Sequence, residues 1–205
     1  ERAVKLSLDV ALAADNCVST TADGNDDSNY GAISLEFLDQ AYTVFEEQIT
    51  ESNSQNRCIN AMTGTLLFLK ALPAEQYERL ITKSAQFAAR VLKKPVQCQL
   101  VALCVRLFYP VDSFAEAKYT NAQRALECLQ RALKLADACT TMNPGHVTLF
   151  VELLEHYVFF FEKKNPLITD AYISGLIALI REHLNNVGSL GSASEAKSHF
   201  AEVLR

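Results

Sequence analysis

Asp23, Asn25 and Asp27 stand at alternate positions, a pattern that can open a calcium-binding loop. Such a loop needs Gly at its sixth position for the sharp turn and a bidentate Glu at its twelfth. Ser28 and Ser34 occupy those positions here, so the stretch reads as a solvated acidic loop. Glu152 and His156 are four residues apart, a helical spacing that can seat two metal ligands. No second His joins them and no HExxH occurs, so they read as a polar pair at a surface or interface. Cys104 and His146 are the residue types of a thiol nucleophile and its base, but nothing in the sequence brings them together. The motifs GxxxxGK(S/T), GxGxxG and GxSxG are absent, which leaves phosphate cradles and nucleophile elbows without support.

The six cysteines, Cys17, Cys58, Cys98, Cys104, Cys128 and Cys139, form no CxxC and no Cys/His cluster. Cys128 and Cys139 share a helix face, yet about 16 Å of helix axis separates them at ~1.5 Å per residue, too far to bridge. The expectation is a non-enzymatic cytosolic protein with reduced core thiols, no metal and no cofactor.

The elements that would position any site read as helices. Of 205 residues, 49% are hydrophobic, with only 7 Gly and 5 Pro. That is too apolar for disorder and too poor in turn residues for a many-stranded sheet. The net charge is -5 with acidic and basic residues interspersed, which argues against a generic hold on nucleic acid or anionic lipid. No run approaches the ~20 apolar residues of a membrane span, and no signal peptide is evident. The opening Glu1-Arg2-Ala3 already follows an amphipathic pattern, so a piece of a longer protein is expected.

The five prolines mark the junctions. Pro73 and Pro95 fit the first turns of new helices, Pro110 ends a run, and Asn143-Pro144 and Asn165-Pro166 pair a capping Asn with a Pro at the first helical position. Helices are expected at roughly 2–15, 32–51, 54–71, 74–93, 96–109, 118–141, 145–163, 167–186 and 194–205. A mobile polar loop is expected over 16–31 and a shorter break at 188–192.

Several of these helices carry two apolar stripes. Ala122, Leu126, Leu129, Leu133 and Ala136 form one, and Cys128, Leu135 and Cys139 a second. Further on, Val147, Phe150, Val151, Leu154, Val158 and Phe161 oppose Leu149, Leu153 and Phe160. A helix resting on one core shows one stripe, whereas a helix held between neighbours shows two. Helix pairs spanning about 40–48 residues fit HEAT- or armadillo-like repeats, which stack into a solenoid with an extended binding face. A tetratricopeptide array lacks its regular 34-residue marks here, and a compact helical bundle remains open on periodicity alone.

Leu92-Lys93-Lys94-Pro95 followed by Gln97, Cys104 and Leu107-Phe108 resembles the C-terminal half of the vacuolar protein sorting-associated protein 35 family, the large subunit of retromer. Glu127-Cys128-Leu129, Ala132-Leu133-Lys134, Leu149-Phe150, Tyr157, Glu162-Lys163, Ile180-Arg181-Glu182 and His199-Phe200 continue it in order, and Ala41-Tyr42 and Phe45-Glu46 fit the same register. The resemblance implies an all-α, HEAT-like right-handed α-solenoid of about nine helices, one domain over 1–205. It implies a concave face that cradles the small metallophosphoesterase-like retromer subunit, vacuolar protein sorting-associated protein 29. It further implies a scaffold in endosomal cargo sorting, cytoplasmic and peripherally associated with endosomes, together with other retromer and cargo-sorting proteins. The family's Pro-Arg-Leu-Tyr-Leu motif for the arrestin-like subunit is absent, so no binding of that subunit is expected.

The second helix of each pair is expected to line the concave face. On those helices Arg106, Tyr109, Leu149, Leu153, His156 and Phe160 lie off the most obvious core stripe and are the expected partner contacts. For Phe159 and Phe160, packing between repeats competes with a docking role.

Overall fold

A computed structural model describes residues 1–18, 27–111, 119–187 and 191–205. Nine α-helices occur among the described residues: α1 (Arg2–Val18), α2 (Asp27–Gln48), α3 (Ser52–Phe68), α4 (Ala74–Arg90), α5 (Lys94–Phe108), α6 (Ala122–Met142), α7 (Thr148–Glu162), α8 (Asp170–Val187) and α9 (Gly191–Val203). A 3-10 turn, Pro144–Val147, leads into α7, and no strand occurs among the described residues. The all-α, nine-helix expectation therefore holds.

The polar loop expected over 16–31 is trimmed from both ends, because α1 continues through Val18 and α2 starts at Asp27. Near the end of α1 the carboxylate of Asp15, 1% exposed, accepts hydrogen bonds from the backbone N–H groups of Lys70 (2.7 Å) and Ala71 (3.0 Å). That tertiary anchor holds the last turn of α1 in place, and no local pattern announces it. Residues 19–26, including Asp23 and Asn25 of the calcium-like pattern, lie outside the described residues, as do 188–190 of the expected break.

The chain divides into two compact units. The first comprises Glu1–Leu92 and Arg106–Asn121, the second Lys93–Val105 and Ala122–Arg205, so the division falls within α5. In the first unit Val4, Leu8 and Ala11 recur at helical spacing and are buried as α1 packs against α2 and α3. Tyr42, Phe45 and Phe87 bring their rings together, with Phe87 at 5.9 Å from Tyr42 and 4.6 Å from Phe45. The buried Tyr42 hydroxyl donates to the Leu80 carbonyl (3.2 Å) and meets Ser84 Oγ. Glu51 caps α3 by accepting from the N–H groups of Asn53 (2.8 Å) and Ser54 (2.6 Å), and these bonds lower its carboxyl pKa. Pro73 is the N-cap of α4, one step outside the first turn, where its missing N–H leaves no bond unmade.

In the second unit α7 packs against α6, α8, α9 and the 3-10 turn. Phe150, Leu154, Tyr157 and Phe160 of α7 are buried with Leu129, Ala132 and Ala136 of α6, Ile180 of α8 and Ala196 of α9. Cys98 Sγ on α5 donates to the Ala132 carbonyl (3.2 Å). Asn143 caps the 3-10 turn by accepting from Gly145 N–H (3.0 Å), as its pairing with Pro144 implies. Asn165-Pro166 behaves differently from expectation. Asn165 Oδ1 accepts from Leu167 N–H (3.0 Å) in a local turn, and α8 begins only at Asp170. An Asn side chain can close such a turn as readily as it caps a helix, and the sequence pattern is the same for both.

Candidate partner-binding surface

The helices present the six expected contact residues in two very different ways. Arg106 near the end of α5 is exposed, and Tyr109 just beyond it is half-buried, both in the first unit. His156 on α7 in the second unit is half-buried. Leu149, Leu153 and Phe160, also on α7, are 3%, 1% and 0% exposed. These three are core residues, and the docking role expected of them is corrected accordingly. The physical reason is the number of elements on α7: with four neighbours, the stripe of Leu149, Leu153 and Phe160 is covered along with most of the other, from which only Phe161 at the helix end stays 44% exposed. A second stripe on a helix shows that something covers it, and a neighbouring repeat satisfies that requirement as well as a partner does.

The exposed face of α7 carries polar pairs beside Phe161. Gln99 on α5 donates its amide to both carboxylate oxygens of Glu152 (3.2 and 3.0 Å), so Glu152 is engaged by an amide from another helix. Glu155 and His199 Nε2 lie 2.8 Å apart and join α7 to α9. Phe159 is half-buried beneath Lys163, whose Nζ lies 5.9 Å from the ring centroid. The first unit carries its own surface pairs, Arg79–Asp39 (2.9 Å) and Lys83–Glu46 (2.9 Å). None of these cross-helix pairs is marked in sequence, because each joins residues tens of positions apart.

Burial favours the protonated thiol at Cys58, Cys98, Cys128 and Cys139. Cys58, Cys98, Cys104 and Cys139 are buried, Cys128 is half-buried and Cys17 is exposed, so four of the six lie in the cores. Burial pushes the Cys98 thiol up to about 12 and that of Cys128 up to about 11, far from the range of an activated nucleophile. Among the described residues no group of three or more His, Cys, Asp and Glu side chains is arranged to hold a metal ion. No helix among them is long and apolar enough to cross a membrane.

A family model described as vacuolar protein sorting-associated protein 35 matches residues 1–183. The chain belongs to the vacuolar protein sorting-associated protein 35 family. It is similar to vacuolar protein sorting-associated protein 35B of Arabidopsis thaliana, 37% identical over 192 residues, which covers 91% of this chain and 22% of that protein. It is 36% identical to the 35A protein of the same plant over 208 residues, covering 98% of this chain and 24% of that protein. Vacuolar protein sorting-associated protein 35 of Schizosaccharomyces pombe is 32% identical over 182 residues, 88% of this chain and 21% of that protein. The chain thus spans about a fifth to a quarter of the length of these relatives. The match takes in α1 to α7 and most of α8, so Arg106, Tyr109 and His156 all fall within it.

Proposed function

We propose that this chain is part of a non-enzymatic scaffold subunit of the retromer coat, acting in vacuolar and endosomal protein sorting. The observation that carries the reading is the family match over residues 1–183, joined to an architecture of packed helices. Stacked helices bind through extended faces, and such a face needs no catalytic constellation. The partner is the small metallophosphoesterase-like subunit, vacuolar protein sorting-associated protein 29, held on the concave side of a right-handed solenoid. Other retromer and cargo-sorting proteins complete the assembly at the cytoplasmic surface of endosomes, with no helix of this chain inserted in the membrane.

Of the six expected contacts, the ones with surface to offer are Arg106, Tyr109 and His156. An arginine and a tyrosine are favoured interface anchors because each offers apolar area and hydrogen-bonding capacity together. The test is a pull-down of the 205-residue chain with the small subunit at micromolar concentration, repeated with the partner's metal-site face blocked. Binding that disappears on blocking supports the reading. Arg106→Glu, Tyr109→Ala and His156→Ala should each weaken binding by about tenfold while the helical circular-dichroism signal is retained. Absence of binding would favour a helical adaptor that takes short peptides. Full binding by all three variants would move the interface elsewhere on the chain.

A further inference from the structure

The first unit carries a pocket of about 190 Å³ where the end of α2, the start of α3 and the last turn of α4 meet. Its floor is apolar, formed by the buried side chains of Phe45, Ile59, Phe87 and Val91. Its polar groups are not equivalent. The Glu46 carboxylate is already neutralised by Lys83 Nζ at 2.9 Å. Gln55 commits its amide Nε2 to the Ile49 carbonyl (3.0 Å), which leaves Oε1 as an acceptor. Arg90, exposed in the last turn of α4, pairs with no carboxylate among the described residues. The pocket therefore sets one uncompensated positive charge beside an apolar floor, in a chain whose net charge is -5.

We infer that this pocket captures the carboxy-terminal residue of a peptide partner, its apolar side chain on the floor and its terminal carboxylate on Arg90. Size and charge together carry the assignment. The volume falls below the ~300 to 1,000 Å³ of sites for larger organic ligands and suits a single side chain of leucine size. The guanidinium is a fork of donors that matches a carboxylate, and a negative charge is what the pocket lacks. Both groups must come from one residue, because neighbouring side chains of an extended segment point to opposite faces. A terminal residue carries its side chain and its carboxylate on one Cα, whereas an internal Leu-Asp pair turns one of them away. Gln55 Oε1 then accepts the N–H of that last residue. The site is independent of Arg106, Tyr109 and His156, none of which lines the pocket.

The experiment is a set of ligand-observed NMR titrations of the 205-residue chain. The probes are acetyl-Ala-Leu as free acid and as amide, acetyl-Ala-Gly as free acid, and acetyl-Leu-Asp as amide. The Leu acid should bind about fivefold more tightly than its amide, the ratio one exposed charge-assisted contact supplies. It should bind about tenfold more tightly than the Gly acid, which keeps the charge and lacks the apolar side chain. Acetyl-Leu-Asp amide, with its carboxylate on an internal-type position, should bind no better than the Leu amide. Arg90→Gln alters an exposed side chain and should keep the helical circular-dichroism signal. It should remove the preference for acid over amide while the amide binds as before. Absence of binding, equal binding of the Leu acid and its amide or of the Leu and Gly acids, or a preference that survives Arg90→Gln would each overturn the assignment. Binding of acetyl-Leu-Asp amide as tight as that of the Leu acid would do so too, in favour of an internal acidic segment.

Discussion

Lys164 stands at φ 59°, just past the end of α7, in the left-handed region that glycine fills without strain. The hydrogen bonds around it explain why the chain accepts this. Lys164 N–H donates to the Phe161 carbonyl (2.9 Å) and Asn165 N–H to the Phe160 carbonyl (3.0 Å), closing the helix end. Lys164→Gly should raise stability by up to about 1 kcal/mol, read from the urea midpoint, because the side-chain clash is removed. Asp15 shows the opposite case, a buried carboxylate whose two hydrogen bonds hold the turn after α3. Asp15→Ala should cost about 3 kcal/mol, with the loss visible as a lower thermal midpoint. Leu153 and Phe160 belong to the same class of residue. Phe160→Ala should cost about 3–5 kcal/mol by leaving a cavity, and Leu153→Asp should unfold the second unit, whereas Arg106→Ala should stay within about 0.5 kcal/mol. If Leu153→Asp instead keeps its circular-dichroism signal and loses only partner binding, the burial of α7 has been misassigned.

Between elements, long-range charged contacts do what local capping cannot. Glu1 accepts from Arg57 Nε on α3 (2.8 Å) and from Lys5 Nζ one turn along α1 (2.8 Å). These partners, the Arg57 hydrogen bond first, lower the Glu1 carboxyl from 4.5 to about 2. A carboxyl whose pKa is depressed on folding stabilises the folded state above its unfolded value. Its contribution is therefore complete above pH 4.5 and is lost as pH falls toward about 2. In Arg57→Ala the Glu1 carboxyl should titrate closer to 4.5, followed by the carboxyl carbon chemical shift, and the acid limb of the stability curve should lose that component. An unchanged Glu1 midpoint in the variant would show that α1 and α3 are not joined by this pair. At the other end of the chain, His199 and Glu155 join α9 to α7 in the same manner.

Across the whole molecule the thiols form a simple record of which surfaces are covered. Native-state labelling with an aromatic disulfide reagent should modify Cys17 first, Cys128 slowly, and Cys58, Cys98, Cys104 and Cys139 only as the chain unfolds. The elevated pKa of Cys98 makes raising the pH to 9 an ineffective way of exposing it to the reagent. Early reaction of more than two thiols would show that the cores are looser than the burial of Val4, Ile59, Phe150 and Ile180 indicates.

Much of the fold was legible in the order of the residues, and the candidate site was much less so. Prolines at junctions, a capping Asn at 143 and apolar residues at three- and four-residue spacing act within a few positions, so they determine where helices begin and end. The family resemblance in strings such as Leu92-Lys93-Lys94-Pro95 is likewise a property of residue order, and the match over residues 1–183 bears it out. Asn165 marks the edge of this legibility, because the same side chain can cap a helix or close a turn. The candidate chemistry at the start had the same limit: Glu152 and His156 share a helical spacing, but Gln99 on another helix decides what Glu152 binds. Which apolar stripe faces a neighbour and which faces solvent was decided only by tertiary packing. Leu149, Leu153 and Phe160 had the periodicity of a second face, and packing of several elements onto α7 turned that face into core. Burial depends on what arrives from elsewhere in the chain, and helical periodicity carries no record of that arrival.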